Sequence, residues 1–368
     1  MLAAAGFGRS PELPVKGACV SAVALSDPPR ILIVRLGALG DILHAIPCLL
    51  DLRDRFPKAS IDWVTEAPYR QLLEQTAGID TVWVADTLRW RRSIGSWAQA
   101  PRLLRRLRRQ KYDVAFDFQG LFKSAVLAKV AGARCRIGFA TELAREPQAA
   151  RLYTDPQSPD PAGLHRCQLN QQLLVPLGIE ATDRIALPID VPATDCDYVD
   201  LQLSEVQAQS PILMSPGAGW PTKLWPVAHF VKLARKLEIE LGRRVVFAYG
   251  PGEEPLIEEA RRHAGAETSV RTFPTTILQL AALCRRSRLL VASDTGPLHL
   301  AVAMGTPTVA LMGPTWAWRN GSFNPADIAL RVERDCPNPY KKRCSVEHFC
   351  MDISVDEVFE AVRRRLAK

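Results

Sequence analysis

Hydrophobic and polar positions along this chain fall into two alternating textures. Short apolar runs at 31–35, 61–65, 81–84 and 113–117 are each followed by a stretch whose apolar residues recur every three or four positions, at about 42–56, 68–76, 93–110 and 121–131. A short run buried on both faces reads as a parallel strand, and the longer spacing reads as a helix with one apolar face. The alternation predicts a doubly wound parallel α/β sheet. Between about 141 and 210 the pattern is diluted by Pro, Asp and Gln, which predicts a boundary. It then restarts, with strands at 211–215, 244–248, 289–292 and 306–312 and helices at 225–241, 253–264, 275–286 and 354–366. The last helix carries Val355, Val358, Phe359 and Val362 on one face, enough to dock on a sheet. The expected organisation is a disordered extension at 1–29, a Rossmann-like domain at 30–190, a second at 191–350, and a terminal helix at 351–368. Two such halves face a cleft with the carboxyl ends of their strands.

Three turns open onto that cleft. Gly37-Ala38-Leu39-Gly40-Asp41-Ile42-Leu43-His44 lets backbone and ligand approach closely at a helix start, but lacks the third glycine of a dinucleotide fingerprint. Asp41 there either complements the helix dipole or serves as a general base toward a hydroxyl. The second turn, from Ser215 to Pro226, offers a small-residue loop with Gly217 and Gly219, followed by Lys223 before a helix. A lysine in a loop is ordinarily just solvated; beside a loop of exposed backbone donors it suits a departing diphosphate. The third turn, Ser293-Asp294-Thr295-Gly296-Pro297-Leu298-His299, joins strand to helix with Thr295 as the expected cap. Its free N–H groups and helix dipole form an anion cradle. His299 reads equally well as a capped or core histidine.

Composition changes the picture only in part. With 368 residues, 47% hydrophobic and 23% charged, the chain suits two globular domains. No run approaches the roughly 18 apolar residues of a spanning helix, and the first residues lack the layout of a signal peptide. Nine cysteines, odd in number and mostly within apolar segments, fit a reducing cytoplasm. Cys336, Cys344 and Cys350 with His348 are spaced more loosely than the pairs of ordinary zinc sites, so neither metal nor cofactor is expected. The formal charge of +8 is concentrated at 89–111, where eight arginines and one lysine stand without an acid, among Trp90, Trp97, Leu103, Leu104 and Leu107. Such a basic amphipathic helix can be a solvated face, a nucleic-acid patch or a membrane-surface patch. Its single sign favours an anionic lipid surface or a phosphorylated acceptor over a merely solvated face, and no nucleic-acid partner is expected.

The three turns, in this order, resemble those of the lipopolysaccharide heptosyltransferases of glycosyltransferase family 9. Two further stretches, Phe116-Asp117-Phe118-Gln119-Gly120-Leu121-Phe122-Lys123-Ser124-Ala125 and Gly138-Phe139 with Ala144-Arg145-Glu146-Pro147, are similar to its heptosyltransferase I branch. The resemblance runs from about Ile31 to the end. It implies the GT-B fold, an ADP-heptose donor, inverting transfer without metal, and a lipid A–Kdo acceptor at the inner face of the inner membrane. Carried over by position, it implies Asp41 as base and Lys223 as diphosphate ligand. Ser215, Gly217, Asp294, Thr295, Gly296 and His299 fall on the donor side, with Glu253 or Glu254 near the ribose. Gly40, Gln119, Lys123 and Arg145 fall on the acceptor side. Two other readings stay open: a transferase of the same fold using another nucleotide sugar, and a catalytically silent nucleotide-binding scaffold, which would need neither Asp41 nor Lys223.

Overall fold

A computed structural model describes residues 25–87, 100–182, 187–265, 270–332, 340–344 and 349–368. The amino-terminal half runs β1 (Arg30–Val34), α1 (Leu39–Leu43), α2 (Ile46–Arg55), β2 (Ser60–Thr65), α3 (Arg70–Glu74), β3 (Thr81–Val84), α4 (Ala100–Arg109), β4 (Val114–Asp117), α5 (Phe122–Val130), β5 (Cys135–Phe139) and β6 (Asp155–Gln157). Its six strands are all parallel, in the order β3-β2-β1-β4-β5-β6. After α6 (Arg166–Gln171) and α7 (Ala193–Glu205) comes the carboxy-terminal half. It comprises β7 (Ile212–Ser215), α8 (Val227–Leu241), β8 (Val245–Tyr249), α9 (Glu254–Ala264), β9 (Arg271–Pro274), α10 (Ile277–Arg286), β10 (Leu289–Ser293), α11 (Gly296–Ala303), β11 (Thr308–Leu311), α12 (Ala317–Asn320), β12 (Ile328–Leu330) and α13 (Val355–Leu366). This sheet repeats the first in order, β12-β11-β10-β7-β8-β9, and is again wholly parallel.

The apolar runs end where the physics of a covered sheet puts them. Ile31 to Val34 and Leu289 to Ala292 are fully buried central strands. β1 lies between β2 and β4, and β7 between β8 and β10, so the strand order reverses beside each of them. Crevices at such reversals are where open parallel sheets bind ligands. Asp41, Ser215 and Asp294 all stand just beyond the carboxyl ends of these central strands. α13 docks on the carboxy-terminal sheet through Val358, Phe359 and Val362, as its apolar face predicts.

Several expected elements come out differently. The helix expected over 42–56 is two helices, because Pro47 has no N–H to donate back and the ladder restarts at Ile46. The helix expected from 93 is described from Ala100; residues 88–99, with Trp90 and Trp97, lie outside the described residues, as do 1–24 of the extension, Cys336 and His348. β5, β6, β9 and β12 escape the apolar pattern. The last three are short edge strands, and β6 and β9 contain Pro156, Arg271 and Pro274, residues that an edge tolerates. The polar stretch 141–210 holds β6, α6 and α7. Within it, Ile189 bridges to Thr76 on one side and accepts from Arg285 Nη2 at 2.9 Å on the other. We place the divide between the halves at this point.

One buried carboxylate sets the loop after β4. Asp117 accepts from Ser124 Oγ and Tyr153 OH at 2.7 Å each, and from the N–H groups of Gln119 and Gly120 at 2.8 and 3.2 Å. The loop in turn holds the turn after β1, because Gln119 Oε1 accepts from Leu36 N at 2.7 Å. Replacing Asp117 with Ala strands three donors, since Ser124 Oγ also reaches Leu121 O at 2.8 Å, and unsatisfied buried donors cost about 1–3 kcal/mol each. Asp117→Ala is therefore expected to lose about 3 kcal/mol or more in urea unfolding, and Asp117→Asn, which keeps one acceptor oxygen, distinctly less. An Ala variant as stable as the parent would show that the network does not hold the loop.

Candidate active site

The two halves meet where α1 packs on α11, and both helices use glycine there. A β-carbon on Gly40 would collide with the His299 ring, and one on Gly296 would come within 2.9 Å of Leu39 Cδ2. The contact brings the turn after β1 and the turn after β10 to one place. His44, His165 and His299 converge beside it, with ring centroids 4.3 Å apart for His44–His299 and 5.4 Å for His44–His165.

On the amino-terminal side Asp41 occupies the middle of α1 with its carboxylate about one-third exposed, paired to the fully buried Arg35. Arg35 also donates to Phe118 O, which fixes its orientation. Burial by itself would raise the Asp41 pKa, but the charges of Arg35, Arg166 and Arg145 outweigh it and hold the carboxylate below its ordinary value. Gly37 lies against the Tyr69 ring, 2.7 Å from where its β-carbon would stand. Lys123 donates to Thr87 Oγ1 at 2.7 Å and pairs with buried Glu66 at 3.3 Å. Arg145 is exposed at the rim.

The carboxy-terminal side centres on Asp294. Its carboxylate, 2% exposed, takes Lys223 Nζ at 2.8 Å, His299 Nε2 at 3.0 Å and Asn320 Nδ2 at 3.1 Å. Burial alone would raise its pKa; the hydrogen bond and charge of His299 and the Lys223 ammonium drive it well below the usual carboxylate range. Lys223 ends a short 3-10 turn, Pro221–Lys223, donates a second time to Asp294 O at 2.9 Å, and lies 4.7 Å from the Trp220 ring centroid. Two of its three N–H groups are thus committed, which leaves one free of those bonds. Ser215 ends β7, buried. Gly217 lies directly against the Glu253 carboxylate, which caps its own loop by accepting from Gly250 N at 2.8 Å. Glu254 is exposed at the start of α9, so Glu253 is the acid at the cleft. Thr295 does hold the cap position of α11, but its hydroxyl donates back to Ser293 O at 3.2 Å, leaving the helix N–H groups without a side-chain cap.

Sequence spacing missed Arg35, Asn320, His165 and Arg166. Arg35 carried a signal, a charge closing an otherwise apolar strand. The others lie in segments read as irregular, with no periodicity to mark them.

Residues 100–350 match the model of glycosyltransferase family 9 (heptosyltransferase). The chain belongs to this family. Lipopolysaccharide heptosyltransferase 1 of Pseudomonas aeruginosa is 31% identical over 328 residues, 86% of this chain and 88% of that relative, which agrees with the heptosyltransferase I branch. A family 9 glycosyltransferase from Veillonella parvula superposes with a TM-score of 0.80 at 24% identity, covering 94% of this chain and 99% of that one. The Escherichia coli heptosyltransferase WaaC, solved with ADP-2-deoxy-2-fluoro heptose, gives 0.68 at 24% identity over 91% and 99%. The two repeated sheets are the GT-B fold of these heptosyltransferases. Among the described residues no group of three metal-ligating side chains forms and no helix is long and apolar enough to cross a membrane.

The family 9 cleft is closed in part by histidines that burial keeps neutral. Burial lowers His44 well below the ordinary 6.5, with His299 and His165 adding to the effect, and it lowers His165 to about 4. In the unfolded chain both protonate near 6.5, so their contribution to stability is complete above that pH and is lost as pH falls toward 4. His165 alone is expected to cost about 2 kcal/mol between pH 7 and 5. Urea unfolding at the two pH values checks this, with His165→Gln giving the shallower dependence. A variant with the parent's pH slope would contradict it.

Proposed function

We propose that the chain transfers a heptose from ADP-heptose to the Kdo–lipid A inner core of lipopolysaccharide, with inversion and without a metal ion. The observation that carries this reading is the meeting of two opposite charges in one cleft. Asp41, from one half, stands on the helix that packs against α11; Lys223, from the other, is tied to the carboxylate at the foot of α11. In the reaction the acceptor oxygen forms a bond to the anomeric carbon while the bond from that carbon to the diphosphate breaks. The electron pair leaves on ADP, and the hydroxyl proton passes to Asp41. The free N–H of Lys223, the loop at Gly217 and the uncapped N–H groups of α11 supply charge to the departing diphosphate, a role that requires no cation. Glu253 is suited to the ribose, and Gly40, Gln119, Lys123 and Arg145 to the acceptor. Support for ADP-heptose comes from the ligand of the Escherichia coli structure, and support for lipopolysaccharide from the names of the curated relatives. A silent scaffold would have no use for a charged aspartate on α1 together with a lysine held at the foot of α11.

The test is nucleotide release from ADP-heptose, beside UDP-sugars, with and without Kdo–lipid A. Release is expected only with both substrates, and undiminished in EDTA; release restored to a chelated enzyme by magnesium would sink the metal-free mechanism. Asp41→Asn is expected to bind ADP nearly normally while turnover falls on the order of 100-fold or more.

The acceptor also places the enzyme at the cytoplasmic, anionic face of a membrane, and α4 suits that surface. It buries Ala100 and Leu107 and leaves Arg102, Arg105, Arg106, Arg108 and Arg109 exposed, with Arg106 stacked 4.9 Å from the Trp83 ring centroid. Each basic residue near an anionic surface contributes about 1 kcal/mol. Replacing Arg105, Arg108 and Arg109 by Gln, which spares the Trp83 contact, is expected to weaken vesicle binding on the order of 100-fold, less in high salt, with ADP affinity unchanged. Equal co-sedimentation of parent and variant would make α4 a solvated face.

A further inference from the structure

The surroundings of Asp41 hold more positive charge than its own carboxylate answers. Arg35 pairs with it directly. Arg145 and Arg166 also act on it, and Arg319, from α12 of the opposite half, acts on Arg166. Three guanidinium groups therefore bear on one carboxylate, and a fourth bears on the third of them.

Arg166 is the one whose position is least explained by the fold. It is the first residue of α6, held in place by His165, which caps that helix and reaches Gly321 O at 3.1 Å across the cleft. Its guanidinium is partly buried and lies 6.0 Å from the Phe139 ring centroid, with no hydrogen bond or ion pair to any described residue. Arg145 and Arg319 likewise make no ion pair with a described residue; Arg319 stacks on Tyr340 at 4.9 Å. A cation drawn out of water without a partner is costly, and proteins ordinarily pair it. Burial has already lowered the Arg166 pKa to about 10, the direction an unanswered cation takes. The donor does not answer it, because the diphosphate ligands are Lys223 and the Gly217 loop.

We infer that Arg166, flanked by Arg145 and Arg319, seats an anionic group of the acceptor, a carboxylate or a phosphate, beside the hydroxyl that Asp41 deprotonates. This rests on the transfer reaction proposed above and names the acceptor feature its site reads. Two consequences follow from the same geometry. The anion fixes the hydroxyl's register against Asp41. It also offsets part of the field that keeps the carboxylate a weak base, so Asp41 gains basicity as the acceptor arrives.

The experiment is acceptor binding by titration calorimetry to the full chain, with transfer measured separately. De-O-acylated Kdo–lipid A is used intact, as the methyl ester of its sugar carboxylate, with its phosphates removed, and with both changes. Arg166→Gln is expected to weaken binding of the intact acceptor about 10- to 100-fold, the worth of a charge-assisted hydrogen bond, and Arg166→Lys to restore part of it. ADP affinity stays that of the parent, which controls for folding. Removing the anion that Arg166 holds weakens the parent by the same factor and adds nothing in Arg166→Gln, so ester and dephosphorylated forms separate carboxylate from phosphate. Equal loss for Arg166→Gln on all four forms, or no loss on the intact one, overturns the inference. Non-additive binding without any heptose transfer supports the anion seat and counts against the proposed reaction.

Discussion

Asp294 sits where three parts of the carboxy-terminal half would otherwise be free to drift. Lys223 from the 3-10 turn, His299 from α11 and Asn320 from α12 all close on its buried carboxylate. Three partners keep the group ionised despite its burial, and the same carboxylate keeps Lys223 aimed and His299 seated. The arrangement is asymmetric in its energetics. Removing one partner leaves a buried charge uncompensated, which costs far more than the pair contributes over an apolar substitute. Through His299 the tie extends to the other half, since that ring fills the space which Gly40 leaves open.

Much of this was legible in the sequence, for stated physical reasons. Central strands bury both faces, so Ile31 to Val34 and Leu289 to Ala292 announce themselves as unbroken apolar runs. The turns that follow them were legible because glycine, a small polar residue and an acid at a strand end have few other uses. Edge strands were not, because exposure frees them from apolar composition: β6 and β9 read as loops. Pairing was not legible either. Spacing put Asp41 at the cleft but could not say that Arg35, six residues earlier on a neighbouring strand end, would turn back to it. Nor could it say that Arg166, some 120 residues on, would share the space. Gln119 and Lys123 were singled out by motif, and the contacts they make are internal, holding Leu36 and Glu66.

The two halves share a sheet order but not an electrostatic character. In the carboxy-terminal half charge is balanced locally, with Lys223 and His299 gathered around Asp294. In the amino-terminal half Asp41 lies in the field of several arginines, and α4 carries a further one-sign surface. Under the proposed reaction, the carboxy-terminal half suits the ADP released at each turnover and the amino-terminal half an anionic acceptor.

The contact between α1 and α11 has one consequence of a mechanical kind. Two glycines, Gly40 and Gly296, stand face to face with a ring and a leucine, so at each point one side of the contact is bare backbone. Long side chains at such a junction would act as springs, yielding by rotamer changes of an ångström or more. Backbone against a ring acts as a hard stop. The closest approach of the two turns is therefore set by covalent geometry at this junction.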